Sequence, residues 1–169
     1  MWGNLQMQVQ IAGPVSAVRG HEEMLSYWRS RRDSGRLPRR AQIDPCDFKR
    51  HLPTVSLINV GETPGDYRLR LAGTGLYSVY GGEITGKRIA DVYAAESAAY
   101  WREELDKIVA TRQPGVGVHS LAWRGAPHLS IVWLRMPLVN DGDRVNMILG
   151  YDVVVGGAPD RSRTGIRAA

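Results

Sequence analysis

Residues 128–155 read HLSIVWLRMPLVNDGDRVNMILGYDVVV. Two long apolar runs are broken at Asn140-Asp141-Gly142-Asp143, residue types that tight hairpin turns favour. The first run, His128 to Leu138, is apolar on both parities: Leu129, Ile131 and Trp133 on one, Val132, Leu134 and Met136 on the other. Such a strand is expected to be central and covered on both faces. In the second run, Val145 to Val155, the residues Val145, Met147, Leu149, Tyr151, Val153 and Val155 share one parity. Upstream, Val116 to Trp123 reads as a third strand, turned by Arg124-Gly125-Ala126-Pro127.

Two more strands stand earlier. Val55 to Val60 (VSLINV) is followed by a Gly/Pro turn at 61–65, and Tyr67 to Ala72 alternates Tyr67, Leu69 and Leu71 against Arg68 and Arg70. Between the two groups lies a winding segment, 73–93, with five glycines. A helix follows at 95–111, with Ala94, Ala98, Trp101, Leu105 and Ile108 at spacings of four, three, four and three. Residues 21–34 form an earlier helix with Met24, Leu25 and Trp28 on one side, Glu22 and Glu23 in its first turn, and Gly35 and Pro38 after it. A short helix is expected at 44–52, capped by Asp44, with Pro45 in its first position and Pro53 ending it. Residues 1–19 read as a weakly ordered arm in which Leu5, Met7, Val9 and Ile11 alternate like a short strand, and 156–169 as a disordered polar tail. The expectation is one α+β domain over 20–155: a five-stranded antiparallel sheet, helices of the crossover on one face, and an N-terminal helix.

The chain of 169 residues is long enough to bury a core without disulfides, and its single cysteine, Cys46, excludes an intrachain one. No basic-then-apolar leader and no apolar run long enough to span a bilayer is present, so a cytoplasmic protein without a membrane span is expected. The net charge of +5 is localised: residues 29–50 hold eight basic and three acidic side chains, and the remainder balances at fourteen of each. Arg36, Arg39 and Arg40 of that segment, with Met24, Leu25 and Trp28, are the candidate interface; the Met24/Leu25/Trp28 side of the helix reads equally as a cap on the chain's own sheet. The segment lacks a recognition helix and interleaves aspartates, so a solvated or structural face is favoured over nucleic acid.

The order helix, short helix, two strands, short turns, long helix, three strands resembles the PAS domain, a sensor and interaction module. The motifs look like those of standalone bacterial PAS-like proteins of about this length. They run from Leu25-Ser26-Tyr27-Trp28 through Gly35-Arg36-Leu37-Pro38-Arg39-Arg40, Ile43-Asp44-Pro45 and Leu52-Pro53. They continue with Tyr67-Arg68-Leu69-Arg70-Leu71-Ala72-Gly73-Thr74, Thr85-Gly86-Lys87, Leu138-Val139-Asn140-Asp141-Gly142 and Met147-Ile148-Leu149-Gly150. The resemblance covers about 21–155 and implies the fold and a sensory or regulatory role. It supplies no substrate and no catalytic residue. A haem-bearing version of such a fold needs an axial ligand in its pocket, and none of His21, His51, His119 and His128 lies on the 95–111 helix. A photoactive flavin version needs a pocket cysteine, whereas Cys46 precedes the sheet and reads as a small buried hydrophobe.

The chain carries no phosphate-loop run, and Gly73-Thr74-Gly75 reads as a change of direction after a strand rather than a dinucleotide turn. His119 and His128 flank a hairpin turn but lack a carboxylate or thiol to complete a metal set. No nucleophile–base–orienter constellation is legible, so a non-enzymatic module is expected. A pocket between sheet and crossover would be lined by Tyr67, Leu69, Leu71, Leu76, Tyr80, Ile84, Trp101, Leu129, Ile131, Trp133, Met147 and Leu149. Two readings stand for these residues: a filled core, or a site for a small apolar or aromatic ligand. The expected partners are a second copy in a homodimer and a separate output protein, because the chain has no room for an output domain. A small-molecule carrier and a nucleic-acid accessory protein are the alternatives.

Overall fold

A computed structural model describes residues 11–156. Its elements in chain order are β1 (Ile11–Ala12), α1 (Pro14–Ser30), β2 (Val55–Val60), β3 (Tyr67–Ala72), α2 (Tyr77–Tyr80), α3 (Ile89–Val92), α4 (Ala95–Thr111), β4 (Gly115–Leu121), β5 (Ala126–Val139) and β6 (Val145–Gly156). The five long strands form an antiparallel sheet in the order β3-β2-β6-β5-β4, and β1 lies parallel beside β6 through Ile11↔Val154. The expected fold class and all five strands are therefore present. The middle position belongs to β6, with β5 next to it.

The β5–β6 hairpin turns where expected. Asn140 N donates to the Arg144 carbonyl (2.9 Å), and the Asn140 side-chain oxygen accepts from Arg144 N (3.0 Å). The left-handed residue of this turn is Asp143 (φ +61°), not the adjacent glycine. The two early strands form the second hairpin, with a bulge where Leu57↔Leu71 gives way to Ile58↔Leu69.

Both faces of the sheet are covered. The crossover segments α2, α3 and α4 close one face over Ile58, Leu69, Ile131, Trp133 and Ile148. Helix α1 closes the other over Leu134, Met136, Leu138, Leu149 and Val153. This corrects the interface expectation for α1. Met24 and Trp28 are buried in the chain's own second core layer, and the Trp28 indole N–H donates to the Pro137 carbonyl at 3.0 Å. An apolar stripe on a terminal helix reads alike whether it meets its own sheet or a partner. Leu25 is half-buried at the margin.

Helix α1 also starts seven residues before the expected His21, with Pro14 in its first turn, so 14–19 are helix rather than arm. Gly20 hid this continuation. It sits mid-helix because a Cβ there would collide with the Tyr151 hydroxyl. The helix ends at Ser30 rather than Ser34, and Gly35 (φ +82°) serves the following turn. The short helix expected at 44–52 is a broken 3-10 segment, Pro45–Thr54, kinked at Phe48 and continuing through Pro53. Its Asp44 cap is real, accepting from Cys46 N at 2.9 Å. Cys46 is exposed rather than buried, because it lies on the solvent side of that turn. The arm residues Leu5, Met7 and Val9 and the tail 157–169 lie outside the described residues, whereas Ile11 does form a strand. Among the described residues, no helix is long and apolar enough to cross a membrane.

Candidate functional site

The chamber between sheet and crossover is built from three sources. The winding segment supplies Leu76, Tyr80, Ile84, Ile89 and Tyr93; α4 supplies Trp101 and Leu105; the strands supply Ile58, Leu69, Arg135 and Asp152. Aromatic rings dominate it. Tyr93 stacks on Trp101 with centroids 5.6 Å apart, and Trp101 leans on Trp133 at 5.3 Å. Tyr80 and Tyr93 join hydroxyls at 2.7 Å. The enclosed free space is about 10 Å³, enough for one water at most.

At its centre lies an ion pair that the sequence reading did not single out. Arg135 Nη1 donates to Asp152 Oδ1 (2.7 Å) and to the Leu134 carbonyl (3.0 Å), and Nη2 donates to Asp152 Oδ2 (3.1 Å). The side chains are 3% and 2% exposed. The guanidinium carbon stands 4.8 Å from the Trp101 ring centroid, a cation–π contact. Burial works against the charge of Arg135, and the Asp152 carboxylate more than offsets it, so the guanidinium pKa is raised. Burial likewise raises the phenols of Tyr80 and Tyr93, which stay neutral. Three buried donors here, Arg135 Nε, Trp101 Nε1 and Trp123 Nε1, have no hydrogen-bond partner among the described residues. The chamber is therefore rich in donors and poor in acceptors.

A signal for this pair existed. Arg135 and Asp152 are lone opposite charges in two apolar strands joined by one turn, and the register Trp133↔Asp152, Arg135↔Gly150 sets them diagonally on one face.

Of the expected lining, Tyr67, Leu69, Leu76, Ile84, Trp101, Leu129, Ile131 and Trp133 are buried on this face, with Tyr80 packed against them. Three residues are not there. Leu71 is 48% exposed, because the bulge inserts Arg70 and turns Leu71 outward. Met147 and Leu149 belong to the α1 face. Cross-strand partners share a face, and Met147 pairs with Leu138 and Leu149 with Met136, so neither can lie beside Trp133.

The candidate arginines largely turn to their own chain. Arg39 Nη1 meets Asp141 Oδ1 at 3.1 Å, Arg40 Nη1 donates to the Ile43 carbonyl at 2.9 Å, and Arg31 pairs with Asp47 at 2.7 Å. Arg36 is exposed and bridges Asp33 through its backbone.

A groove of about 730 Å³ opens beside β6 and is lined in part by Arg50, His51, Thr54, Ser78 and Tyr151. At its rim His51 links Tyr151 Oη (3.1 Å from Nδ1) to Glu23 Oε2 (2.8 Å from Nε2). This chain has the outline of a relay, but burial raises the Tyr151 pKa, the opposite of an activated nucleophile. Its effect is to tie α1 to the sheet. His119 stacks on Tyr100 at 4.4 Å and meets Ser97 Oγ at 3.1 Å, and burial lowers its pKa; His128 is exposed. Among the described residues no group of His, Cys, Asp and Glu is placed to hold a metal ion.

The sheet order and the helical crossover agree with comparisons to known proteins. No curated protein sequence matches the chain. A PAS domain protein structure from Colwellia psychrerythraea superimposes with a TM-score of 0.51 at 10% identity, covering 66% of this chain and 96% of that one. The PAS domain of Bordetella pertussis BvgS matches with a TM-score of 0.49 at 18% identity, over 71% and 90% of the two chains. A sensory box sensor histidine kinase from Vibrio cholerae gives 0.47 at 16%, over 66% and 88%. The sequence itself matches the PAS domain family across residues 17–152, from the first half of α1 to the middle strand, and the chain belongs to that family.

Proposed function

We propose that this chain is a non-enzymatic sensory or regulatory PAS module that acts through protein–protein contacts, as a homodimer signalling to a separate output protein. One observation carries the reading: the chamber is closed by the chain's own side chains, with only about 10 Å³ left free. A filled interior leaves the surface as the place of action. The absence of an activated nucleophile at the Tyr151 groove fits a module without catalysis. Arginines that turn to their own chain's acceptors give little support to nucleic-acid binding.

A second reading, gating by a small ligand, is favoured by the unpartnered donors of the chamber, Arg135 Nε and Trp101 Nε1. They call for an acceptor, which a purely apolar ligand lacks. Native mass spectrometry of gently purified protein separates the two. The mass of the bare polypeptide in dimeric form is expected. Stoichiometric added mass would favour the ligand reading, and a monomer at every concentration would remove the homodimer.

A further inference from the structure

The two edges of the sheet are treated differently. The β3 edge is capped: Leu69 N donates to the Lys87 carbonyl at 2.9 Å, Gly86 N donates back to the Leu69 carbonyl at 2.6 Å, and Arg68 bridges Arg88. The β4 edge pairs with β5 on its inner side and has no backbone partner on its outer side among the described residues. Exposed edges are normally guarded by Lys, Pro, a bulge or a covering segment. From Gly115 to Ser120 the β4 ladder is regular, and from Gly115 to Leu121 it contains no Lys, Arg, Asp, Glu or Pro.

Part of the exposed apolar surface lies on this strand. Among the described residues the exposed large hydrophobic ones are Val15, Val18, Val116 and Val118, with Leu71 apart at the β3 edge. Val116 and Val118 pair with Leu134 and Val132, which puts them on the α1 side, and Val15 and Val18 are on α1 itself. On the opposite side β4 presents Gly117, over which Trp133 closes so tightly that a Cβ would collide with the ring.

We propose that β4 is the seam of a twofold homodimer, in which the strand pairs antiparallel with the same strand of a second copy and joins the two sheets edge to edge. The proposal rests on the homodimer reading above and names its surface. A second copy fits for three reasons. Two chains of net charge +5 repel, yet β4 carries no formal charge, so they can meet there. A twofold axis across the seam keeps Val116 and Val118 of both copies on one side, forming a continuous apolar cross-strand row. With the β3 edge capped at Leu69, β4 is the long unpaired edge among the described residues, and pairing it with its own copy gives a closed pair rather than a filament.

The test is sedimentation velocity over a wide concentration range on the full chain and on a double Val116→Lys, Val118→Lys variant. It is combined with concentration-dependent amide hydrogen exchange on the unsubstituted protein. The proposal expects a dimer whose Kd is weakened by on the order of tenfold or more in the variant, since like charges then face each other across the seam. It also expects β4 amides protected only at concentrations where the dimer forms. A dimer that survives the double substitution, with β4 amides exchanging independently of concentration, would overturn the seam and leave the homodimer standing. A monomer throughout would overturn both. Should the variant fail to fold, the exchange data on the unsubstituted chain decide alone.

Discussion

The two faces of the sheet are made by the same strands and obey different rules. The α1 face is filled by Met24, Leu134, Met136, Leu138, Met147 and Leu149, and the indole of Trp28 there has its N–H paired. The crossover face holds a ring of tyrosines and tryptophans around a buried guanidinium and carboxylate, with three donors unpaired. The first arrangement gains stability chiefly from apolar burial. The second carries groups whose desolvation works against folding and which an apolar core would omit. Residues that cost stability and yet occupy the centre of a domain point to a role other than holding it together. The difference teaches that the two faces answer differently to substitution: the α1 face chiefly to lost apolar volume, the crossover face to lost polar partners.

The largest expected effect comes from breaking the ion pair. Asp152→Ala leaves the Arg135 charge buried without a counterion and is expected to cost about 3–5 kcal/mol in urea unfolding. Replacing both partners with apolar residues of similar size, Arg135→Met with Asp152→Leu, should be neutral or more stable by about 1–4 kcal/mol. That contrast would confirm that the pair is not retained for stability. A double variant as damaged as the single one would show instead that the pair holds the fold, and the distinction between the faces would fail.

Why the sequence discloses one face better than the other follows from the same contrast. Alternation locates strands, and the five-strand hairpin pattern was legible from Asn140–Asp143 and from the 61–65 turn. Which parity faces which layer needs the register, and register is a pairwise property. Met147 and Leu149 look identical to Ile148 as pocket candidates until Leu138↔Met147 and Met136↔Leu149 fix them under α1. Leu71 looked inward until the bulge at Arg70 turned it. Helix α1 was legible as an amphipathic segment, but Gly20 hid its start, because a mid-helix glycine reads as a break when its reason, the nearby Tyr151 hydroxyl, lies 131 positions away. The Arg135–Asp152 pair carried a signal in two isolated charges of opposite sign, and only the diagonal register makes them partners.

A matched pair of conservative substitutions sharpens the comparison at lower amplitude. Trp28→Phe and Trp101→Phe remove the same atoms from opposite faces, so their volume losses largely cancel when compared. Trp28→Phe also leaves the buried Pro137 carbonyl without its donor, whereas Trp101→Phe removes an N–H that has no partner. The α1-face substitution is expected to be more costly by about 1–2 kcal/mol in denaturant midpoint experiments. Equal costs would mean that Trp101 has an acceptor in solution, and the description of the chamber as donor-rich would lose its main support.

The smallest expected effect concerns acidification, and it again divides the faces. His21 lies under α1, its Nδ1 2.8 Å from the Ala17 carbonyl and its buried Nε2 without a partner; His119 lies on the crossover side, its Nε2 3.1 Å from Ser97 Oγ. Burial lowers both pKa values from the ordinary 6.5. The unfolded chain therefore binds protons that the folded chain refuses, and stability increases with pH across that interval. The contribution is complete above pH 6.5 and is lost progressively as the pH falls toward the lowered folded values. Of the two, His21 should matter more, because it is buried in the core whereas His119 is only half-buried, with a hydroxyl beside it. Thermal midpoints recorded from neutral pH downward should decline below 6.5, with a shallower slope in His21→Phe than in His119→Phe. The reverse order would show that the crossover face, not the α1 face, resists protonation more strongly.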